Sequence, residues 1–224
     1  YQSILDSITA NLQKALGSNL KGVYVHGSIC FGSYQPERSD IDFIGLVEKP
    51  LSIQEKEGVY AVLVAESVDS PKKGLEMSLV LSEHAKTFTY PTPYELHFSP
   101  DHFERYRSNP SQLYTDEPKF DYDLAAHFTV IWQRGICWYG QPIDAAFSPV
   151  PWENFLDSSL RDMPESFAAF ISATVYNILN FCRIKAAFTD GLLLSKTEGA
   201  RWALEKLPNA YHSCIQAALA AYEG

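Results

Sequence analysis

Asp40 and Asp42 stand either side of Ile41 in the run Ser39-Asp40-Ile41-Asp42-Phe43, and that spacing constrains the chain more than any other feature. Side chains alternate across a β-strand, so the two carboxylates share one face while Ile41 and Phe43 share the other, apolar one. Ile41 to Val47 is therefore expected to be a strand with an acidic start. Like charges held side by side repel, and burying part of such a pair is unfavourable unless a cation neutralises it. Oxygen ligands of this kind suit magnesium, which takes one or two carboxylates and fills its remaining positions with waters and substrate phosphates. The same alternation also describes a strand with one wet face, so the pair needs company before it points to a metal.

Two neighbouring stretches supply that company. Gly22-Val23-Tyr24-Val25-His26 is a β-branched and aromatic run that ends on Gly27-Ser28. A small residue at a strand end lets backbone amides approach a phosphate, and a hydroxyl adds a contact, although a Gly-Ser pair alone is usually only a turn. Gly27 and Gly32 are followed by Ser33 and Tyr34, which fits neither a Walker-type loop nor a dinucleotide fingerprint. After the turn Pro71-Lys72-Lys73-Gly74, a strand from Leu75 to Leu81 puts Glu76, Ser78 and Val80 on one face and Leu75, Met77, Leu79 and Leu81 on the other. Glu76 is a charge at the start of an otherwise apolar strand, placed either to face water or to stand as a third carboxylate beside the first two. A Glu near a bound metal can take the proton from a hydroxyl that attacks phosphorus.

The rest of the chain reads as helices. Leu5, Ile8, Leu12 and Leu16 form one apolar stripe, stopped by Gly17-Ser18-Asn19. Ser52 and Glu55 make a capping box for a helix through about Val68, and Ser195 with Glu198 makes another for a helix through Leu207. From Tyr122 the pattern is helical, with Leu124, His127, Phe128 and Ile131 on one face and an end at Gly140 and Pro142. A long helix is expected from about Glu165 to Phe188, and a last amphipathic segment runs to Tyr222. The predicted class is α+β: a domain with a small mixed sheet over residues 1–118, then an all-helical domain over 119–224, divided near Pro118.

Composition narrows the partners. The 224 residues carry 18 Lys and Arg against 27 Asp and Glu, a formal charge of −9. That argues against a nucleic-acid binder, which needs positive charge to displace counterions, and is compatible with a cationic ligand. Cys30, Cys137, Cys182 and Cys214 are scattered without a close pair, so neither a zinc site nor a redox motif is present and free thiols are expected. No apolar run is long enough to cross a bilayer and no basic segment leads into one at the start, so a cytoplasmic protein without membrane partners is expected. The six histidines show no metalloprotease spacing, and the tryptophans read as packing residues.

Gly-Ser at a strand end, then Ser39-Asp40-Ile41-Asp42, then an acidic residue on a later strand resembles the nucleotidyltransferase fold of the polymerase-beta type. Further stretches narrow the resemblance: Leu75-Glu76-Met77-Ser78-Leu79-Val80, Tyr94-Glu95-Leu96-His97-Phe98, Asp123-Leu124-Ala125, Phe147-Ser148-Pro149-Val150-Pro151, Cys182-Arg183-Ile184, Lys196, and Arg201 through Pro208. These look like the aminoglycoside adenylyltransferases of the streptomycin and spectinomycin resistance type, and the likeness covers nearly the whole chain. It implies in-line attack of a substrate hydroxyl on the α-phosphorus of ATP, with release of pyrophosphate. By similarity Asp40 and Asp42 would hold magnesium, Glu76 would be the catalytic base, and Ser28 and Ser39 would contact the triphosphate. Arg183 and Lys196 match positions that clamp the ATP phosphates. Arg183 sits within an apolar helix, where a cation needs an anion, and Lys196 follows a helix cap, where anions are already favoured. An internal ion pair for Arg183 and a solvated surface position for Lys196 are the other readings.

The resemblance is looser at the acceptor. Family members that accept streptomycin look as though they use a Trp shortly after the Glu-Leu-x-Phe stretch and an Asp about three helical turns before the Arg. Here those positions fall near Asp101 and Ala173, so spectinomycin or another small cationic aminocyclitol is the expected acceptor rather than streptomycin. Glu95, His97 and Asp101 are candidate cleft residues, with Glu95 the substrate-binding choice. The expected protein is a monomeric, magnesium-dependent adenylyltransferase with ATP as co-substrate. Adenylylation of another metabolite or a protein, and nucleotide binding without catalysis, remain as alternatives.

Overall fold

Period-two alternation produces strands in the first part of the chain and 3.6-residue periodicity produces helices in the last. The computed structural model describes residues 1–109 and 119–224; the side chains of Asp101, Glu104 and Arg107 and residues 110–118 lie outside the described residues. The first compact unit, Tyr1–Val150, contains α1 (Gln2–Leu16), β1 (Leu20–Val25), β2 (Ile41–Val47), α2 (Ile53–Glu66), β3 (Leu75–Leu81), α3 (Ser82–Lys86), β4 (Thr92–Tyr94), β5 (Leu96–Phe98), α4 (Pro100–Ser108), β6 (Lys119–Asp121), α5 (Leu124–Arg134), β7 (Ile136–Gly140) and α6 (Ile143–Ala146). The second, Pro151–Gly224, contains α7 (Trp152–Arg161), α8 (Phe167–Ser172), α9 (Thr174–Asp190), α10 (Lys196–Lys206) and α11 (His212–Glu223). The α+β class, a small mixed sheet followed by helices, is as expected.

Among the described residues the main sheet has five strands in the order β5-β3-β2-β1-β7. β2 and β3 run parallel, joined through α2, and the remaining neighbours are antiparallel. Alternation sorts the side chains into two cores. Ile41, Phe43 and Val47 of β2 and Leu75, Met77 and Leu79 of β3 face Leu5, Ile8 and Leu12 of α1 and Val59 and Leu63 of α2. On the other face, Ile44, Leu46 and Val80 pack with Leu124, Phe128 and Ile131 of α5 and with Phe147. Each such Leu or Ile contributes about 1.5–3 kcal/mol by leaving water, which makes both faces of the sheet strongly specified. Both expected capping boxes form, at Ser52 with Glu55 and at Ser195 with Glu198.

Three boundaries differ from the sequence reading. The units divide between Val150 and Pro151 instead of near Pro118. The reason is that the segment after residue 118 completes the first unit: α5 covers the second face of the sheet, and β7 pairs with β1 as an edge strand. The helix expected to run to Gly140 therefore stops at Arg134, and the Ile136-Cys137-Trp138-Tyr139 run is extended. The long helix expected from Glu165 breaks at Ala173, whose backbone is non-helical. Asn177 bridges that break, its side-chain amide donating to the Phe170 carbonyl at 3.0 Å. All four cysteines are free, and no described helix is long and apolar enough to cross a membrane.

Candidate active site

Strand register gathers the carboxylates. β2 and β3 pair in parallel with Asp42 directly opposite Glu76, and the residue before β2 is Asp40. Asp40, Asp42 and Glu76 each offer a carboxylate oxygen, and these oxygens lie within 4.8 Å of one another. All three side chains are half-buried. Burial pushes the Glu76 carboxyl above the ordinary glutamate range, with Asp40 adding to the rise and His127 opposing it. A trio of partly desolvated carboxylates is a set of hard oxygen donors that a divalent cation such as magnesium would fit.

Gly27 positions this group from the neighbouring strand. It begins the turn after β1 with φ of 66°, a left-handed conformation that glycine adopts freely, and a Cβ there would collide with the Asp42 carboxylate. The amide of His26 donates to the Asp42 carbonyl at 3.0 Å, which fixes the turn against β2. Ser28 follows, and its Oγ is buried without a hydrogen-bond partner. An orphaned hydroxyl beside the carboxylates is a donor waiting for an acceptor, as a phosphate oxygen would be. Ser39 is buried, and its Oγ accepts the Gln35 amide at 3.0 Å, leaving its own hydrogen free to donate.

The structure adds residues that the sequence reading did not single out. His127 of α5 pairs with Asp123 at 3.2 Å and lies against His26 with ring centroids 4.4 Å apart. Burial opposes the His127 charge, but Asp123, Glu76 and Asp121 outweigh it and lift its pKa to about 10. His26 is buried and held well below the ordinary histidine value, first by burial and then by His127. Asp121 is raised by burial. The sequence did contain a signal for this pair: Asp123 and His127 stand four residues apart, on one face of a helix. It was masked because His127 also falls on the apolar stripe with Leu124 and Phe128.

Of the acceptor candidates, Glu95 is not brought to the carboxylates. Its side chain accepts the Leu51 amide at 2.8 Å, beyond the far end of β2 from Asp42, so it secures a connection in the fold. His97 lies opposite Ser78 on β3 and bonds its hydroxyl at 2.8 Å; burial, with His102 adding to it, lowers its pKa to about 3. The Asp101 side chain is outside the described residues. Arg183 and Lys196 belong to the second unit. Arg183 is about one-third exposed and has an internal anion, Asp162, at 3.7 Å. Lys196 opens α10 after the Ser195 cap, its ammonium 4.3 Å from the centre of the Tyr176 ring.

With this geometry in place, the likeness to known proteins can be located on it. Residues 145–224 match the family model described as the C-terminal domain of aminoglycoside adenylyltransferase. The aminoglycoside (3'') (9) adenylyltransferase of Klebsiella pneumoniae is 24% identical over 229 residues, covering 98% of this chain and 84% of that protein. The spectinomycin 9-adenylyltransferase of Staphylococcus aureus is 24% identical over 213 residues, covering 93% and 80% respectively. The fold superposes on the crystal structure of spectinomycin adenyltransferase AAD(9) from Enterococcus faecialis with ATP and spectinomycin. The TM-score there is 0.83 at 20% identity, over 99% of this chain and 90% of that one. The resemblance expected from the sequence is borne out over nearly the whole chain, and with it the reading of the protein as a nucleotidyltransferase enzyme.

Proposed function

We propose that this chain transfers AMP from ATP to a hydroxyl of an aminoglycoside or aminocyclitol antibiotic, with spectinomycin favoured over streptomycin. The observation that carries the reading is the trio Asp40, Asp42 and Glu76, assembled by parallel register beside the Gly27-Ser28 turn. The names of the relatives support the acceptor class. The absence of a Trp at Asp101 and of an Asp at Ala173 supports the preference between the two drugs.

Asp40 and Asp42 would hold a magnesium ion, which when bound neutralises charge on the phosphate oxygens of ATP. Ser28 donates from its unpartnered hydroxyl to a phosphate oxygen, and Ser39 donates from a hydroxyl already oriented by the Gln35 amide. Arg183 and Lys196, in the second unit, are cations of the kind that bind ATP phosphates. Glu76 accepts the proton of the acceptor hydroxyl as its oxygen bonds to the α-phosphorus. The bond from that phosphorus to the bridging oxygen breaks, and pyrophosphate leaves. Burial suits Glu76 to this role, because a carboxylate with a raised pKa is a stronger base than one in water. The acidic balance of the chain, −9 overall, favours a cationic acceptor and disfavours nucleic acid.

The test is to incubate the protein with ATP, magnesium and spectinomycin, streptomycin and related aminocyclitols, and to look by mass spectrometry for an added adenylyl group. An adduct on spectinomycin is the expected result. An adduct on streptomycin alone overturns the preference, and pyrophosphate release with no drug adduct overturns the acceptor class.

A further inference from the structure

The second unit holds a polar network whose centre is neither of its two candidate ATP-binding cations. Asp162, the residue after the last turn of α7, accepts two hydrogen bonds on one carboxylate oxygen and has an arginine nearby. The Tyr176 hydroxyl donates to it at 2.6 Å, the Asn180 amide donates at 2.9 Å, and an Arg183 nitrogen lies 3.7 Å away. Tyr176, Asn180 and Arg183 recur at four and then three residues along α9, which puts them on one face of the helix. Asn180 is fully buried and relays the contact: its amide nitrogen donates to Asp162 while its oxygen accepts Arg183 Nε at 2.6 Å. Arg183 is thus tied to Asp162 twice, once directly and once through an amide whose orientation both neighbours dictate.

The other cation is tied to the same centre. Gly199 of α10 lies where a Cβ would come within 2.8 Å of the Arg183 backbone, so the two helices approach closely at that point. Lys196, one turn earlier, then falls over the Tyr176 ring, whose hydroxyl is held by Asp162.

We propose that Asp162 is a positioning residue for ATP binding, which holds the Arg183 guanidinium in the orientation that meets the triphosphate. This rests on the reading of Arg183 as an ATP-binding residue. A flexible arginine loses side-chain freedom when it binds a phosphate, and an arginine whose Nε is already held by Asn180, with Asp162 beside its head, loses less. An exposed Asp–Arg pair alone contributes little, but here the carboxylate also orders a buried amide and a phenol.

The test uses the full chain and measures the ATP dissociation constant by calorimetry, the steady-state constants for ATP and for the drug, and the thermal midpoint. Asp162→Ala is expected to weaken ATP binding about tenfold, the order of one lost charge-assisted hydrogen bond, and to raise KM for ATP alike. KM for the acceptor and kcat should stay within about twofold, a split that general unfolding would not give. In an Arg183→Ala background the same change should have little further effect, because the residue it orients is gone. Unchanged or tighter ATP binding by Asp162→Ala overturns the proposal, and so does an equal loss in the Arg183→Ala background. Should Asp162→Ala fail to fold, Asp162→Asn, which preserves shape and one acceptor oxygen, is measured on the same criteria. If Arg183→Ala itself leaves ATP affinity unchanged, the underlying ATP-binding reading fails and takes this inference with it.

Discussion

Gly27→Ala separates backbone strain from displacement of a carboxylate of the proposed metal site. The native φ of 66° is left-handed, and an alanine forced to stay there is less stable by about 1–2 kcal/mol. The added Cβ would also lie 2.7 Å from Asp42 Cγ, against 3.4 Å where ordinary contact begins, so the carboxyl carbon must retreat by about 0.7 Å. Asp42 has little main-chain room to yield, because its carbonyl accepts the His26 amide at 3.0 Å and its strand is paired on both sides. The side chain must therefore swing away from its present place beside Asp40 and Glu76. A misplacement near 1 Å at a reacting centre lowers the rate by about 10²-fold. Gly32 supplies the control: its φ is also 66°, but nothing lies within 4 Å of a Cβ built there. Gly32→Ala should lose the same 1–2 kcal/mol in thermal unfolding while keeping adenylyl transfer within a few-fold. Gly27→Ala should add to that loss a drop in kcat of about 100-fold and a higher magnesium requirement, read from pyrophosphate release. Equal activity losses in the two variants, or full activity in Gly27→Ala, would refute the geometric argument.

Other expectations follow from the same geometry. Glu76→Gln should bind ATP normally by calorimetry yet abolish adenylyl transfer, and retained transfer would remove Glu76 as the base. Because Glu76 must be ionised to accept a proton and burial raises its pKa, kcat should fall on the acid side through a limb above the ordinary glutamate value of 4.5, and that limb should disappear in a variant rescued by an exogenous base. The same shift makes a stability contribution that is complete at low pH and fades as pH rises through the raised value, so urea midpoints of the metal-free protein should show Glu76→Gln relatively more stable at high pH. Gly199→Ala places a methyl against the Arg183 main chain, and overpacking there should destabilise the second unit by about 1–3 kcal/mol in thermal unfolding.

The sequence alone determined the elements whose residues need only their neighbours. Ile41–Val47 and Leu75–Leu81 were readable as strands because apolar residues alternate along each. Ser52 and Ser195 were readable as helix starts because a cap and its Glu lie three residues apart in one turn. The acidic cluster was legible for the same reason: Asp40, Asp42 and Glu76 are charges placed at the starts of apolar strands, where the pattern itself marks them as exceptions.

Tertiary structure decided what depends on partners distant in the chain. Whether Ile136–Gly140 continues a helix or becomes a strand turns on β1, more than a hundred residues earlier, offering an open edge; that pairing moved the boundary between units to Val150. Glu95 accepts the Leu51 amide on one carboxylate oxygen, a contact no local pattern predicts. His127 looked apolar by its stripe, yet it lies 3.2 Å from Asp123 on the helix that packs on the sheet face bearing Glu76, and those carboxylates raise its pKa. Asp162 lies on another element from the arginine it holds and shares no periodicity with it. Alternation and capping act within a few residues and so are written locally. The pairing of a buried charge is settled only when separate elements meet, because its energy depends on what the fold brings beside it.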